Sequence, residues 1–174
     1  MSSRLIPFAI ALGVFALDRL TKAVIERFVS PWDVHVVVPG LFQIIHAENR
    51  GAAFSMFADS SGPVRTAVLV GLAAVVLVII AHFLWTSASR LSGEHWSLRL
   101  GLSLVLGGAL GNVYDRVVRG AVTDFLDVYV GDLHWPTFNV ADSAITAGAA
   151  LMLLSMWLGR RREAVRTEHV SKTD

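Results

Sequence analysis

Apolar positions along the chain gather into four long stretches, at about residues 5–29, 64–86, 97–118 and 138–158. Crossing a hydrocarbon core of ~30 Å as α-helix takes about 20 residues, so each stretch is long enough to span a membrane. The clearest run is Ala67 to Trp85, where His82 is the one strongly polar side chain. The fourth stretch ends at Gly159 followed by Arg160, Arg161 and Arg162, a basic stop at a membrane face. In the third, Gly107 and Gly111 have the GxxxG spacing that lets a neighbouring helix approach closely. The first opens on the unbroken apolar run Leu5 to Leu17. No small-residue cleavage pattern follows, so it reads as a span and not as a removable signal peptide. Asp18, Lys22 and Glu26 then recur every fourth residue and share one helical face, which should look into protein.

Between the spans lie two polar segments. The first, about residues 30–62, has a strand-like start, Val34 to Val38, a Pro39-Gly40 turn and a second run, Leu41 to Ile45, the pattern of a hairpin. Ala52, Ala53, Phe54, Ser55, Met56 and Phe57 are too apolar for an ordinary aqueous loop and fit a short piece lying at the membrane interface. The second polar segment runs from about Arg119 to Thr137. Lys and Arg outside the spans number seven on the side of the termini (Arg4, Arg90, Arg160, Arg161, Arg162, Arg166 and Lys172) and two on the other (Arg50 and Arg119). Adding residues at the span ends makes it eight against five, so both termini are expected in the cytoplasm. The expected fold is an all-α membrane protein: four transmembrane helices, a small extracytoplasmic β-hairpin and an interfacial piece, in one domain, residues 1–174, with a mobile cytoplasmic tail, 160–174.

Composition agrees with this pattern. Of 174 residues, 54% are apolar and only 17% charged, against about 25% charged in a typical soluble domain. The formal net charge of +1 gives no basic field of the kind a nucleic-acid binder uses. With no cysteine in the chain, thiolate metal sites and a cysteine nucleophile are excluded.

Ionisable side chains in or at the mouth of a membrane cost ~2.5 to 3.5 kcal/mol each on insertion scales, so each needs a partner or a task. Asp18, Arg19, Lys22, Asp115, Arg116, Asp124 and Asp142 form that short list, with Asn49, Asn112 and Asn139 as polar company. Asp124 follows the outer end of the third span and Asp142 sits at the start of the fourth, so neighbouring spans would bring both to one depth. Facing carboxylates cannot both ionise easily and hold a shared proton. One can then activate a water while the other protonates a carbonyl oxygen, as in aspartic proteases. The amino end of the fourth helix favours the negative form, which biases Asp142 toward base and Asp124 toward acid in a pair that titrates jointly and leaves the place of the proton open.

Structural readings stand beside these. Asn139 and Asp142 have the spacing of a helix capping box, and Asp124 has the ordinary loop carboxylates Asp127 and Asp132 for company. Asp115 and Arg116 can pair with each other or with headgroups, and Gly107, Gly108 and Gly111 read as helix-packing residues. The six histidines, His35, His46, His82, His95, His134 and His169, lack the H-E-x-x-H spacing of zinc hydrolases. A Ser143, His134 and Asp124 set lacks a nucleophile elbow. A small transporter or proton channel, and a noncatalytic scaffold built on the Gly107 and Gly111 face, are the competing classes; the first lacks the repeated halves usual in transporters.

Five blocks in order give the chain a specific resemblance. They are Asp18-Arg19-Leu20-Thr21-Lys22, Asn49-Arg50-Gly51-Ala52-Ala53-Phe54-Ser55, Gly107-Gly108-Ala109-Leu110-Gly111-Asn112-Val113-Tyr114-Asp115-Arg116, Val122-Thr123-Asp124-Phe125 and Phe138-Asn139-Val140-Ala141-Asp142-Ser143. Together they resemble the lipoprotein signal peptidases, or signal peptidase II, bacterial inner-membrane aspartyl proteases. The resemblance covers nearly the whole chain.

What it implies is an endopeptidase that removes the signal peptide of diacylglyceryl-modified prolipoproteins, cutting just before the lipid-modified cysteine. Asp124 and Asp142 match the catalytic pair. Asn49, Asn112, Arg116 and Asn139 match polar residues that surround the pair or hold substrate, and Gly51, Ala52, Phe54 and Gly108 join them as substrate-binding or supporting positions. Asp18 and Lys22 match a polar site that supports the fold. The family's outer segment forms a small sheet cradle and an interfacial helix; separately, the apolar character of Phe54, Met56 and Phe57 in an aqueous loop leads to the expectation of a movable lid hinged at Gly51. Neither metal nor other cofactor is implied. Expected partners are lipid-modified prolipoproteins and membrane lipids, with no nucleic acid and the monomer as working unit. Arg19 departs from the pattern, standing where family members often carry Gln.

Overall fold

The computed structural model describes residues 5–51, 62–87 and 96–171. Its order is α1 (Ile6–Phe28), β1 (His35–Val38), β2 (Phe42–Asn49), α2 (Gly62–Ser87), α3 (Trp96–Arg119), β3 (Val122–Val130), β4 (Leu133–His134) and α4 (Val140–Ser171). The fold is mostly helical with a small antiparallel sheet. The four helices fall where the apolar stretches lie, while α4 continues to Ser171, past the Gly159 where the apolar pattern stops. The segment expected to form the interfacial helix and lid, with Ala52, Phe54, Met56 and Phe57, lies outside the described residues.

Four spans were expected, and among the described residues two helices, Thr66–Thr86 and Val140–Arg160, are long and apolar enough to cross a membrane by length and composition. The difference has a cause in α1 and α3, which carry Asp18, Arg19, Lys22, Glu26 and Arg27, and Arg99, Asp115, Arg116 and Arg119. Arg19, Lys22, Glu26, Asp115 and Arg119 pair across the α1–α3 interface, so they dilute the hydropathy of both helices while satisfying one another.

Helix α3 packs against α1, α2 and α4. Its glycines set how closely. A Cβ at Gly107 would meet the carbonyl oxygen of Ala11 on α1, and one at Gly108 the carbonyl oxygen of Ala141 on α4. Gly101 and Gly148 face each other in the same way, a Cβ on either lying 2.7 or 2.6 Å from the other's carbonyl oxygen. Below these contacts a core of Ala11, Ile80, Leu84, Leu102 and Leu106 joins α1, α2 and α3. Leu12 on α1, Leu72 and Val78 on α2 and Leu153 on α4 point outward, as lipid-facing side chains do.

The expected hairpin is half of a larger sheet, ordered β1-β2-β3-β4 and antiparallel throughout. Gly40 turns between β1 and β2 at φ +76°, a conformation cheap only for glycine. Strand β2 runs on to Asn49, beyond the expected end at Ile45, because its second half pairs with β3. The register there sets Ala47 opposite Asp124 and Asn49 opposite Val122. A strand at Val122–Val130 was not expected; Asp124 and Asp127 interrupt a run that, Leu126 apart, is otherwise β-branched and aromatic. Gly120, at φ +76°, ends α3 and returns the chain into β3.

Candidate active site

Two loop-free positions carry the acidic pair. Asp124 is the third residue of β3 and 1% exposed. Its Oδ2 accepts from Asn49 Nδ2 at 3.0 Å and its Oδ1 from Asn139 Nδ2 at 2.7 Å. Burial pushes its carboxyl up to about 6, and the charge of Asp142 acts in the same direction; the Asn49 and Asn139 hydrogen bonds oppose both. A carboxyl in that position holds a proton through most of the acid range. Its reading as an ordinary loop carboxylate does not hold.

Asp142 lies in the first turn of α4, and its two oxygens have different tasks. Oδ2 accepts from the backbone N–H of Asn139 at 3.3 Å, while the backbone N–H of Asp142 donates to Asn139 Oδ1 at 2.9 Å, a reciprocal capping box. Oδ1 is left to accept from Asn112 Nδ2 at 2.7 Å. The capping reading and the site reading are therefore both realised, on different atoms. Asn139, fully buried, spans the pair: its Nδ2 donates to Asp124 and, at 3.3 Å, to Asn112 Oδ1.

The remaining expected residues divide into two groups. Asn49, Gly51 and Arg116 belong to the cleft. Asn49 Oδ1 accepts from Gly51 N at 3.0 Å, and Arg116 Nη2 donates to Gly51 O at 2.9 Å. Arg116 does not pair with Asp115, since successive helical residues point about 100° apart. Asp18 and Lys22 sit behind the cleft. Lys22 Nζ reaches Asp18 Oδ2 at 2.8 Å, Asp115 Oδ2 at 2.7 Å and Asn112 Oδ1 at 3.0 Å. Asp18 Oδ1 accepts from Ala141 N at 2.9 Å, so it satisfies an amide in the first turn of α4 from 123 residues away. No local pattern could have signalled that bond. Ala52 and Phe54 lie outside the described residues.

The cleft opens into a cavity of about 1170 Å³ lined by Asn49, Asn112, Arg116, Asp124 and Asp142. Its walls also include Trp135 to Phe138 and, on α4, Ile145, Thr146, Ala147 and Ala150, which the sequence pattern did not place there. His134 pairs with Asp127 at 2.9 Å and not with Asp124, which dissolves the Ser143, His134 and Asp124 set. Among the described residues no three His, Asp or Glu side chains converge as a metal site.

A mostly helical fold that holds two carboxylates on one amide-lined cleft has the groups that aspartic-peptidase chemistry needs. The model of the family described as signal peptidase (SPase) II matches residues 10–158. A lipoprotein signal peptidase of Solibacter usitatus is 48% identical over 157 residues, covering 90% of this chain and 93% of the relative. One of Pseudomonas aeruginosa is 44% identical, covering 87% and 88%. A solved bacterial membrane enzyme superposes with a TM-score of 0.74 at 29% identity, covering 87% of each chain. The chain belongs to the signal peptidase II family.

Proposed function

We propose that this protein is the peptidase that removes the signal peptide from lipid-modified prolipoproteins, cutting just before the diacylglyceryl cysteine, with Asp124 and Asp142 as its catalytic pair. The observation that carries this reading is the convergence of both carboxylates, through Asn112 and Asn139, on one cavity.

Chemistry follows from the unequal surroundings of the two acids. Asp124, whose carboxyl is pushed up to about 6, begins protonated; Asp142, at a helix amino terminus and hydrogen-bonded by Asn112, begins ionised. A water between them loses a proton to Asp142 as its oxygen bonds to the scissile carbonyl carbon. Asp124 gives its proton to the carbonyl oxygen, which leaves a neutral tetrahedral diol. The diol collapses as Asp142 passes its proton to the departing nitrogen, the C–N bond breaks and Asp124 recovers its proton. Asn49 and Arg116 hold Gly51 at the rim, where an extended peptide would lie.

All four helices span a bacterial inner membrane, with both termini cytoplasmic and the sheet and cavity on the outer side. Supporting this are the apolar faces turned outward, the pairing of the charges of α1 and α3 between those helices, and the seven-to-two excess of Lys and Arg on the terminal side. The scissile bond of a membrane-anchored substrate lies at that same outer surface. Both carboxylates come from one chain, so a monomer holds the entire pair.

The test is cleavage of a lipid-modified prolipoprotein peptide by the purified protein in detergent. Asp124→Asn and Asp142→Asn should each abolish it, and full cleavage by both variants would overturn the reading.

A further inference from the structure

Behind the cleft, α1 and α3 enclose two carboxylates and two cations. Lys22, fully buried, spends its three N–H bonds on Asp18 Oδ2, Asp115 Oδ2 and Asn112 Oδ1. Arg19 takes the other oxygen of Asp115, lies 4.0 Å from Glu26 and stacks over the Tyr114 ring at 4.8 Å. Neither cation lines the cavity. Buried charge of one sign is costly, and here the signs balance: Asp18 and Asp115 against Lys22 and Arg19.

Polarity passes from this cluster into the cleft. An ammonium can only donate, so Asn112 must present its oxygen to Lys22, and its amide N–H is thereby aimed at Asp142 Oδ1. Rotated the other way, Asn112 would set a carbonyl against the Asp142 carboxylate and an N–H against the Lys22 ammonium. Asn139 reinforces the same orientation, donating to the same oxygen.

We propose that Arg19 and Lys22 are positioning residues for the peptidase reaction: Lys22 fixes Asn112 so that Asp142 is held as the charged, water-activating partner, and Arg19 keeps Lys22 available by neutralising Asp115. The proposal rests on the reading of Asp124 and Asp142 as the catalytic pair. The other charged groups facing the cluster are Glu26 on α1, Arg116 and Arg119 on α3, Asp124 on β3 and Asp142 on α4. Glu26 is occupied by Arg119 and by Thr123 Oγ1, so its negative charge is met outside the cluster and does not draw Arg19 away from Asp115. Without Arg19, Lys22 alone faces Asp18 and Asp115, is drawn toward them, and leaves one uncompensated negative charge behind the pair.

The experiment measures kcat and KM of the full-length protein in detergent on a lipid-modified prolipoprotein peptide, from about pH 5 to about pH 9. Arg19→Gln should leave KM unchanged, lower kcat several-fold and move the fall in rate that Asp124 sets near pH 6 to higher pH, because losing a positive charge makes ionising the pair harder. Arg19→Lys should restore both. Lys22→Gln should lower kcat by ~10- to 100-fold, the loss expected for a charged hydrogen bond, and adding Asn112→Ala to it should cost little more. A wild-type pH profile and kcat in Arg19→Gln would overturn the proposal, as would independent, multiplying losses in Lys22→Gln and Asn112→Ala. Should Lys22→Gln fail to fold, the comparison of Arg19→Gln with Arg19→Lys decides alone. Cleavage that survives Asp124→Asn and Asp142→Asn instead removes the catalytic reading, whatever Arg19 does.

Discussion

Asn139 and Asp142 cap each other across the first turn of α4, each side chain accepting from the other's backbone N–H at 2.9 and 3.3 Å. The same Asn139 amide donates to Asp124 at 2.7 Å. Helix start and acidic pair are thus one construction. Replacing Asn139 by Ser keeps a capping oxygen and deletes the amide, so the two tasks separate. Asn139→Ser should cost little through the cap itself, within ~1 kcal/mol, yet lower kcat by ~10-fold or more, the effect of one lost hydrogen bond at a reacting group. Thermal unfolding in detergent and steady-state kinetics check the two halves; a variant that loses stability but not kcat would confine Asn139 to capping.

Acidity of Asp124 gives a prediction with a sign. Its carboxyl rises from 3.8 to about 6 on folding, chiefly by burial. Folded protein then holds this proton more tightly than unfolded chain does. Stability is therefore lost as pH rises between those values and is constant above them, by as much as about 3 kcal/mol. In Asp124→Asn the slope vanishes; the amide loses one of the two acceptors that Asn49 and Asn139 use, so the variant starts less stable at about pH 4, and the difference should shift in its favour up to about pH 6. In the parent, kcat/KM should fall as pH rises through about 6, where the free enzyme loses the proton Asp124 donates. A profile flat from pH 5 to about pH 9 would assign the acid elsewhere.

Much of this was legible from local pattern. Long apolar stretches placed α1 to α4, Pro39-Gly40 placed the first turn of the sheet, and the places of Asp124 after the third stretch and Asp142 at the start of the fourth pointed to one shared depth. What was not legible depends on partners remote in sequence. Strand β3 reads as loop because Asp124 and Asp127 break its apolar run, and only pairing with β2 makes it a strand. Asp115 stands beside Arg116 in the chain but binds Arg19 and Lys22, because neighbours on a helix diverge while positions on facing helices meet. Capping of Ala141 by Asp18 has no local signature at all.

Close helix approach at Gly108 locates the pair in depth. A Cβ there would meet the Ala141 carbonyl oxygen, one residue before Asp142, and would push α4 outward. Gly108→Ala should therefore destabilise by ~1 to 3 kcal/mol, as overpacking does, and reduce kcat through displacement of Asp142. Gly13, on the exposed side of α1 with nothing within 4 Å of a Cβ, is the control. Gly13→Ala should be neutral or stabilising by up to about 1 kcal/mol. Equal melting temperatures for the two variants would contradict the packing shown by α3 and α4.

His134 decides between two hydrolytic sets. Its Nδ1 lies 2.9 Å from Asp127 Oδ2, its ring stacks on Tyr129 at 5.2 Å, and its side chain is 49% exposed. Gln43 Nε2 also donates to Asp127, at 2.7 Å, so the carboxylate keeps a partner when the imidazole is removed. The pair joins β4 to β3 and lies apart from the acidic residues lining the cavity. His134→Ala should change kcat by less than about threefold, an ordinary effect for a partly exposed pair worth ~0 to 1 kcal/mol. Loss of a general base would instead lower the rate by ~100-fold or more. A fall of that size, with the fold intact by thermal unfolding, would move the chemistry from the two aspartates to a serine–histidine mechanism that the position of Ser143, hydrogen-bonded to Asn139 O at 2.9 Å, does not otherwise support.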